Sequence, residues 1–201
     1  MSNTNFSASL RSPQYSHLHA AGHLKKHEFG LTRVLAHWRD EQQTRRALKI
    51  AGNPRSVLDL PCGTGRFWPL LAEQPNRLIF AADDSTDSLE DAEAGQSLEV
   101  LKQVESFQSS AYSIDMEDNF VDSILCMDLL HQIADPAERL LILREFYRVT
   151  RDTLIVSLKL DTHHLIEAQF AQAGFDILDH SDFLPGYALW RLYVLRKRTQ
   201  A

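Results

Sequence analysis

The part of this sequence best suited to bind a ligand is a loop that contains two glycines and follows a short apolar run. The run is Val57–Leu60, and the loop after it consists of Pro61, Cys62, Gly63, Thr64 and Gly65. Glycine permits positive φ angles and close approach of the backbone to a ligand. A helix predicted at residues 66–73 follows at once. A strand, a loop and a helix in this order present backbone N–H groups to nucleotide-like molecules at the carboxyl ends of parallel strands.

Charged and bulky residues around the loop select the ligand. A pyrophosphate-binding fingerprint requires a third glycine three residues after the second, where this chain has Trp68. Asp59 would repel a pyrophosphate, but a carboxylate suits the cationic ammonium group of a methionine moiety. Asp83, at the end of the second predicted strand and expected near the surface, suits the hydroxyls of a ribose, with Asp84 as the alternative carboxylate. These features favour S-adenosylmethionine (SAM) over a dinucleotide.

From about residue 57 to residue 156 the chain resembles the class I SAM-dependent methyltransferases, particularly the group with the pattern D-x-x-C-G-T-G-R. The resemblance implies that Asp59, Gly63 and Gly65 border the methionine half of SAM and that Asp83 holds the ribose. It also assigns a fourth-strand motif to residues 119–127 and S-adenosylhomocysteine (SAH) as the product. The predicted SAM-binding residues are Asp59, Pro61, Cys62, Gly63, Thr64, Gly65, Asp83, Asp84, Ser110, Ala111, Cys126 and Met127.

Two positions depart from the family pattern. Pro61 replaces a frequent glycine and removes a backbone N–H, which is acceptable where that group makes no ligand contact. Ser110 stands before Ala111 where many relatives have an aspartate that meets the adenine amino group, and its uncharged hydroxyl can still accept a hydrogen bond.

Catalysis of methyl transfer depends mainly on placing a nucleophile about 3 Å from the methyl carbon, in line with the departing sulfur. A general base is needed when the acceptor is a hydroxyl or a protonated amine. His131, just past the fourth predicted strand, is the candidate base. The alternative interpretation is that His131 packs against, or hydrogen-bonds to, a nearby loop.

The pattern from residue 56 onward alternates strand-length apolar runs with amphipathic helices. It predicts an α/β Rossmann-like fold with a seven-stranded, mainly parallel sheet, an antiparallel last strand and helices on both faces. Strands are predicted at 56–60, 78–82, 98–103, 121–127, 153–158, 175–183 and 190–195, with the last two joined by Pro185-Gly186. Helices are predicted at 66–73, 85–94, 137–149 and 161–173. A further helix from Leu31 to Leu48, ended by Gly52-Asn53-Pro54, should pack on the sheet.

Residues 1–50 form a predicted N-terminal arm and helix that acts as a substrate lid, and residues 51–201 form the SAM-binding domain. Residues 1–49 carry eight Lys and Arg against three Asp and Glu, while residues 50–201 carry thirteen against twenty-four. Five of the nine histidines also lie in the first segment. The basic segment is either a solvated face or a lid that presents positive charge to an anionic substrate.

Composition narrows the remaining classes. The 201 residues, 44% of them hydrophobic, suit one globular domain, and two cysteines supply neither a disulfide framework nor a zinc site. No apolar run suggests a membrane span or signal peptide, so a cytoplasmic location is expected. Nucleic-acid substrates are disfavoured because no RNA-binding module is recognisable, but the basic N-terminal segment keeps them open. The sequence thus predicts a methyltransferase acting on a small or anionic acceptor, with a non-catalytic SAM- or partner-binding subunit and an NAD oxidoreductase as alternatives.

Overall fold

A computed structural model describes residues 30–159, 163–184 and 187–199 of the chain. Within these residues the helices are α1 (Gly30–Ile50), α2 (Trp68–Leu71), α3 (Thr86–Ala94), α4 (Leu98–Leu101), α5 (Pro136–Val149) and α6 (His163–Ala173). The strands are β1 (Ser56–Asp59), β2 (Leu78–Asp83), β3 (Val104–Gln108), β4 (Val121–Cys126), β5 (Thr150–Lys159), β6 (Phe175–Leu184) and β7 (Tyr187–Lys197). A 3₁₀ turn covers Leu130–Gln132.

All seven strands join one sheet in the order β3-β2-β1-β4-β5-β7-β6. The five strands from β3 to β5 are mutually parallel, and β7 lies antiparallel to both β5 and β6. The predicted fold with its antiparallel last strand is therefore confirmed. From β1 the chain builds outward to β2 and β3, and it then returns to place β4 on the other side of β1. A crevice forms at such a reversal of strand order, at the carboxyl ends of the two central strands.

The hydrophobic core has two layers, one on each face of the sheet. One layer packs α5 and α6 on the sheet and includes Leu58, Ile124, Phe146 and Phe170. The other layer, under α1, α2 and α3, includes Val57, Leu125, Trp68 and Leu192. Neighbouring residues such as Val57 and Leu58 enter opposite layers because successive side chains of a strand point to opposite faces. Both faces are covered, as a parallel sheet requires.

Helix α1 contacts β6 and β7, which confirms that the N-terminal helix packs on the sheet. Ala47 and Leu48 are buried there, and the Gln43 side chain donates a 2.7 Å hydrogen bond to the carbonyl of Asp182. Trp38 shares the three- and four-residue apolar spacing of residues 31, 34 and 35 in the sequence of this helix, but 56% of its surface is exposed. The side chains at 31, 34 and 35 lie outside the described part.

One predicted strand is wrong. Residues 98–103 begin as helix α4, because the Ser97 hydroxyl accepts a hydrogen bond from the N–H of Val100 and caps the helix start. The strand that pairs with β2 follows it at Val104–Gln108. The predicted helix at 66–73 is also shortened to α2, Trp68–Leu71. The turn at Pro185-Gly186 lies outside the described residues.

Among the described residues, no helix combines the length and the apolarity needed to cross a bilayer.

Candidate functional site

The loop between β1 and α2 is held in place by hydrogen bonds to both neighbouring strands. The N–H of Leu60 donates to the carbonyl of Leu125 on β4 at 3.0 Å, and the N–H of Cys62 donates to the carbonyl of Ala82 on β2 at 2.9 Å. These bonds join the loop to the two strands that flank β1. The loop is consequently an ordered part of the sheet edge.

The carboxylate of Asp83 makes the strongest connection to this loop. One oxygen accepts from the backbone N–H of Gly63 at 2.9 Å, and the other accepts from the N–H of Ser85 at 3.1 Å. The sequence predicted Asp83 near the surface, but the side chain is fully buried. Its side chain therefore ties the glycine loop to the end of β2 and the start of α3.

The two loop glycines serve different needs. Both have positive φ, +52° at Gly63 and +66° at Gly65. A Cβ atom at Gly65 would lie 2.8 Å from the indole ring of Trp68, whereas a Cβ at Gly63 would meet no atom within 4 Å. Gly65 is thus required for packing on Trp68, and Gly63 leaves open space beside exposed backbone.

Asp59, at the end of β1, is the most unusual polar residue of the site. It is only 1% exposed, and neither carboxyl oxygen has a hydrogen-bond partner among the described residues. Burial raises the pKa of Asp59 to about 8, although the nearby Trp68 indole N–H and Arg66 oppose this effect. A buried carboxyl without a partner is costly unless a cation or donor compensates it.

A cleft of about 180 Å³ opens beside the loop at the reversal point between β1 and β4. Its loop side and its β4 side are brought together at the carboxyl ends of these strands, where the strand order predicts a ligand crevice. The cleft is lined by Pro61, Cys62, Gly63, Thr64, Arg66, Phe67, Met127, Asp128 and Gln132. Five of the predicted site residues, four from the loop and Met127 directly after β4, therefore share one cavity.

Several predicted residues lie at the same sheet edge without lining this cleft. Cys126 is fully buried at the end of β4. Ser110 and Ala111 follow β3, where the Ser110 hydroxyl accepts a 3.3 Å hydrogen bond from the N–H of Tyr112. Asp84 is partly exposed beside Asp83.

The ring of His131 packs edge-on against Trp190 of β7, with the ring centres 4.6 Å apart. Its neighbour Gln132, rather than His131, lines the cleft. This arrangement supports the packing interpretation of His131. Its role as a base stays a prediction.

A charged cluster adjoins the cleft through Arg66 and Asp128, which line it. The cluster also involves residues to which the sequence analysis assigned no role. Arg66 of the loop donates a 3.0 Å hydrogen bond to Asp40 of α1 and lies 3.3 Å from the Nδ1 atom of His37. Burial raises the pKa of Asp40, and Asp128 adds to the rise while Arg66 opposes it. Helix α1 is thereby joined directly to the ligand loop.

Asp128 forms the opposite wall and has an uncommon backbone conformation, with φ at +61°. Its N–H donates to the Ser157 hydroxyl at 2.8 Å, and the Gln132 amide donates to its carbonyl. One signal for Asp128 is visible in the sequence, namely an acidic residue shortly after a buried strand. The contacts and the conformation of Asp128 depend on β5 and the 3₁₀ turn. The sequence pattern around Asp128 does not reveal these contacts.

Residues 57–153, a little under half of the chain, match the protein family described as "Methyltransferase domain". No curated protein sequence matches the chain significantly.

Solved structures of low identity share the fold. Magnesium protoporphyrin IX methyltransferase from Synechocystis PCC 6803, solved with bound SAM, is 17% identical, with a TM-score of 0.70 over 87% of each chain. The methyltransferase domain of bacterial CtHen1-CN is 17% identical, with a TM-score of 0.68 over 80% of this chain and 99% of that one. The [4+2]-cyclase SpnF is 16% identical, with a TM-score of 0.64 over 80% and 82%.

These comparisons confirm the Rossmann-like methyltransferase fold, and a methyltransferase domain implies SAM as its cofactor. They support the class I methyltransferase family, while the narrower D-x-x-C-G-T-G-R group stays a prediction. One similar structure is named a cyclase, so the fold alone does not specify the reaction. The reaction depends on the side chains of the site rather than on the fold.

The contrast between the two glycines can be tested by alanine substitution. Gly65→Ala should lower the free energy of unfolding by about 2–4 kcal/mol, because the new methyl group clashes with the buried Trp68 ring and the positive φ adds strain. Gly63→Ala should cost only about 1–2 kcal/mol, from backbone strain alone. Urea unfolding followed by tryptophan fluorescence measures both. Equal losses in the two variants would contradict the proposed packing role of Gly65.

The buried position of Asp83 predicts a structural effect of its removal. Asp83→Asn should lower the free energy of unfolding by about 1–3 kcal/mol, since the amide NH₂ cannot accept from one of the two backbone N–H groups. Asp91→Asn, an exposed change on α3, is the matched control and should stay within about 0.5 kcal/mol. A wild-type unfolding midpoint for Asp83→Asn would show that the loop does not depend on this carboxylate.

Proposed function

We propose that this protein is a SAM-dependent methyltransferase that binds SAM in the cleft between the β1–α2 loop and the end of β4. The observation that carries the proposal is the buried, unpartnered carboxyl of Asp59 next to the open backbone of Gly63. A ligand with a cationic group would compensate the Asp59 carboxyl, and its body would occupy the open space beside the backbone of Gly63. The methionine end of SAM has this combination of properties.

The charge of the site supports the choice of cofactor. Asp59 and Asp83 are both buried beneath the loop. A pyrophosphate at this place would oppose the ionisation of Asp59, whereas a ligand with positive charge would favour it. SAM carries both an ammonium group and a sulfonium centre. The oxidoreductase alternative is correspondingly disfavoured.

The ribose contact is shared between two carboxylates in our proposal. Asp83 already accepts two backbone hydrogen bonds, and its remaining lone pairs can accept from a ribose hydroxyl. Asp84, the alternative from the sequence, is partly exposed at the same edge. We assign Asp83 chiefly to holding the loop and Asp84 to the outer ribose hydroxyl. Ser110 and Ala111, which follow β3, are proposed to border the adenine.

The bound cofactor would supply an electrophilic methyl group. The protein's part is to hold that group and the acceptor in line and to keep water away. The apolar side chains of Phe67 and Met127 line the cleft and are both buried. Asp128 and Gln132 complete the wall that faces the acceptor. Pro61 fits this arrangement, because its missing N–H is not needed where Gly63 and Asp59 provide the polar contacts.

Binding of SAM should raise the melting temperature of the protein. At 1 mM ligand and a dissociation constant near 10 µM, linkage predicts about 2.7 kcal/mol of stabilisation, or roughly 5–10 °C for a chain of this size. Differential scanning fluorimetry with SAM and SAH measures the shift, and 1 mM NAD is the control that should produce none. No shift with either SAM or SAH would refute the proposed function, and a shift with NAD alone would restore the oxidoreductase alternative.

The raised pKa of Asp59 predicts a pH dependence of stability. Between about pH 4 and pH 8 the folded protein keeps a proton on Asp59 that the unfolded chain releases. The free energy of unfolding should therefore fall as the pH rises through this window, by at most about 1.4 kcal/mol per pH unit, and level off above it. In Asp59→Asn this component is absent. Urea unfolding of both proteins from pH 5 to pH 9 isolates it as their difference.

The same carboxyl links cofactor binding to proton release. Because the ammonium group of SAM favours the ionised form of Asp59, binding at pH 6.5 should release about one proton from the wild-type protein. Isothermal titration calorimetry in phosphate and in Tris buffer gives this number from the difference in enthalpy. In Asp59→Asn the release should disappear and the affinity should decrease. Equal proton release in both proteins would show that Asp59 does not meet the ammonium group.

A further inference from the structure

The acceptor side of the cleft contains a carboxylate that is held in position by three separate elements. Asp128 follows the end of β4, with its N–H on the Ser157 hydroxyl of β5. The same hydroxyl donates to the Oδ1 atom of Asp128 at 3.4 Å. Gln132, from the 3₁₀ turn, binds the carbonyl of Asp128. The backbone and one carboxyl oxygen are thereby fixed, while the other oxygen has no hydrogen bond to the described residues.

The backbone conformation of Asp128 is consistent with a functional constraint. Four non-glycine residues in the described part have positive φ, namely Asn53, Asn76, Asn119 and Asp128. Of these four, only Asp128 lines the cleft beside the loop. A non-glycine residue in this region costs about 1 kcal/mol or more, and such residues cluster at ligand sites. The conformation is maintained here by the bonds to Ser157 and Gln132.

The free oxygen of Asp128 faces Arg66 across a gap. Its Oδ2 atom lies 3.9 Å from the guanidinium, which is too far for a hydrogen bond. Arg66 is already engaged by Asp40 at 3.0 Å and packs on the ring of Phe67. The Asp128 side chain is 54% exposed. An O–H or N–H group of a ligand in the cleft could therefore reach this oxygen without breaking an existing hydrogen bond.

The charge at the cleft mouth indicates which acceptors fit. Among the described residues at the cleft, Arg66 stands against two carboxylates, Asp40 and Asp128, so negative charge is in excess there. A carboxylate or phosphate on the acceptor would be repelled by Asp128, and the guanidinium of Arg66 is already paired with Asp40. A neutral hydroxyl or an amine would instead be attracted. The sequence predicted a small or anionic acceptor, and this charge distribution disfavours the anionic kind.

On the basis of the proposed function, we propose that Asp128 binds the acceptor's nucleophilic O–H or N–H group and takes its proton, and that the acceptor is a neutral or cationic hydroxyl or amine compound. The lone pair of a hydroxyl oxygen or neutral amine nitrogen forms the new bond to the methyl carbon as the carbon–sulfur bond breaks and the electron pair of that bond returns to sulfur. A protonated amine first gives one proton to Asp128, which frees its lone pair for this attack. The proton of the O–H or N–H group passes to Oδ2 of Asp128 and then to solvent. Ser157 is a positioning residue that directs the carboxylate.

Binding of small probes to the full chain saturated with SAH tests the acceptor class. Phenol, benzylamine and tyramine carry suitable donors, while benzoate and phenylacetate are anions of similar size without them. Titration up to 20 mM, followed by the amide NMR signals of Met127, Asp128 and Gln132, should show binding of the three donor compounds only. Absence of shifts with all three, or equal shifts with the anions, would overturn the proposal.

Two variants make the test specific to Asp128. Asp128→Asn keeps a side chain that tolerates positive φ, so the fold should be retained, and it should weaken benzylamine binding at least fivefold. Asp91→Asn removes the same charge outside the cleft and should bind benzylamine as the wild type does. Wild-type benzylamine affinity in Asp128→Asn would count against the proposal. Unfolding of this variant would be seen in its NMR spectrum, and Ser157→Ala then serves as the second variant, with the same fivefold expectation.

Turnover tests the proton transfer. The donor compounds that bind are incubated with SAM, and SAH is quantified. Asp128→Asn should form SAH at least about 100-fold more slowly than the wild type, with unchanged SAM affinity, because it has lost a general base. Wild-type rates in this variant, or no methylation of any bound donor compound, would overturn the base role. Failure of the underlying function is distinguishable, because it would also abolish the SAH-induced shifts at Gly63, which do not depend on Asp128.

Discussion

The contact on which the rest of the site depends is the pair of hydrogen bonds from Gly63 and Ser85 to the carboxylate of Asp83. These bonds fix the loop after β1 to the end of β2, two strands that are neighbours in the sheet. Charge-assisted bonds from backbone N–H groups to a carboxylate are stronger than neutral ones, and burial removes the competition of water. The loop can therefore keep two residues with positive φ and still be rigid enough to hold a ligand. Without this link, the backbone at Gly63 would be positioned only by the hydrogen bonds of Leu60 and Cys62 to the flanking strands.

The electrostatics of the site follow from the same arrangement. Three carboxyl groups, Asp59, Asp83 and Asp128, end the strands or follow them at the edge where β1, β2 and β4 meet. Each has a different environment. Asp83 is satisfied by backbone donors, Asp59 is buried with an elevated pKa, and Asp128 is half exposed beside Arg66. Such differences allow neighbouring carboxyl groups to perform different tasks, because backbone donors, burial and solvent exposure leave each group with different contacts to offer. A structural acid, a group that responds to a bound cation and a proton acceptor can thus occupy one edge of a sheet.

The fold and the loop between β1 and α2 were predictable from the sequence, because their sequence signals are local. Residues 57–65 show a buried strand followed by the two glycines, and alternating apolar runs give the order of most elements. The error at residues 98–103 arose where a local signal competed with another. The apolar residues Leu98, Val100 and Leu101 suit a strand, but the Ser97 hydroxyl caps a helix, and the true strand β3 has the weaker pattern of a half-exposed edge. Burial of individual side chains on α1 was also harder to predict, because it depends on which side chains meet the sheet. Trp38 has the right spacing on α1, yet the sheet is met by smaller side chains such as Ala47.

The acceptor side was not predictable, because its geometry is made by contacts between distant parts of the chain. Arg66 meets Asp40 from a helix 26 positions earlier, and Asp128 is held by Ser157 from a strand 29 positions later. Residue type and the position just past the fourth predicted strand pointed to His131, whose side chain is the usual one for proton transfer near neutral pH. The structure places the His131 ring against Trp190, while the carboxylate three positions earlier in the chain lies in the cleft. A residue's position relative to the strand end, and the bonds that orient it, decide which group can reach a ligand, whatever its intrinsic acidity. For this reason Asp128 is the stronger candidate for contact with the acceptor.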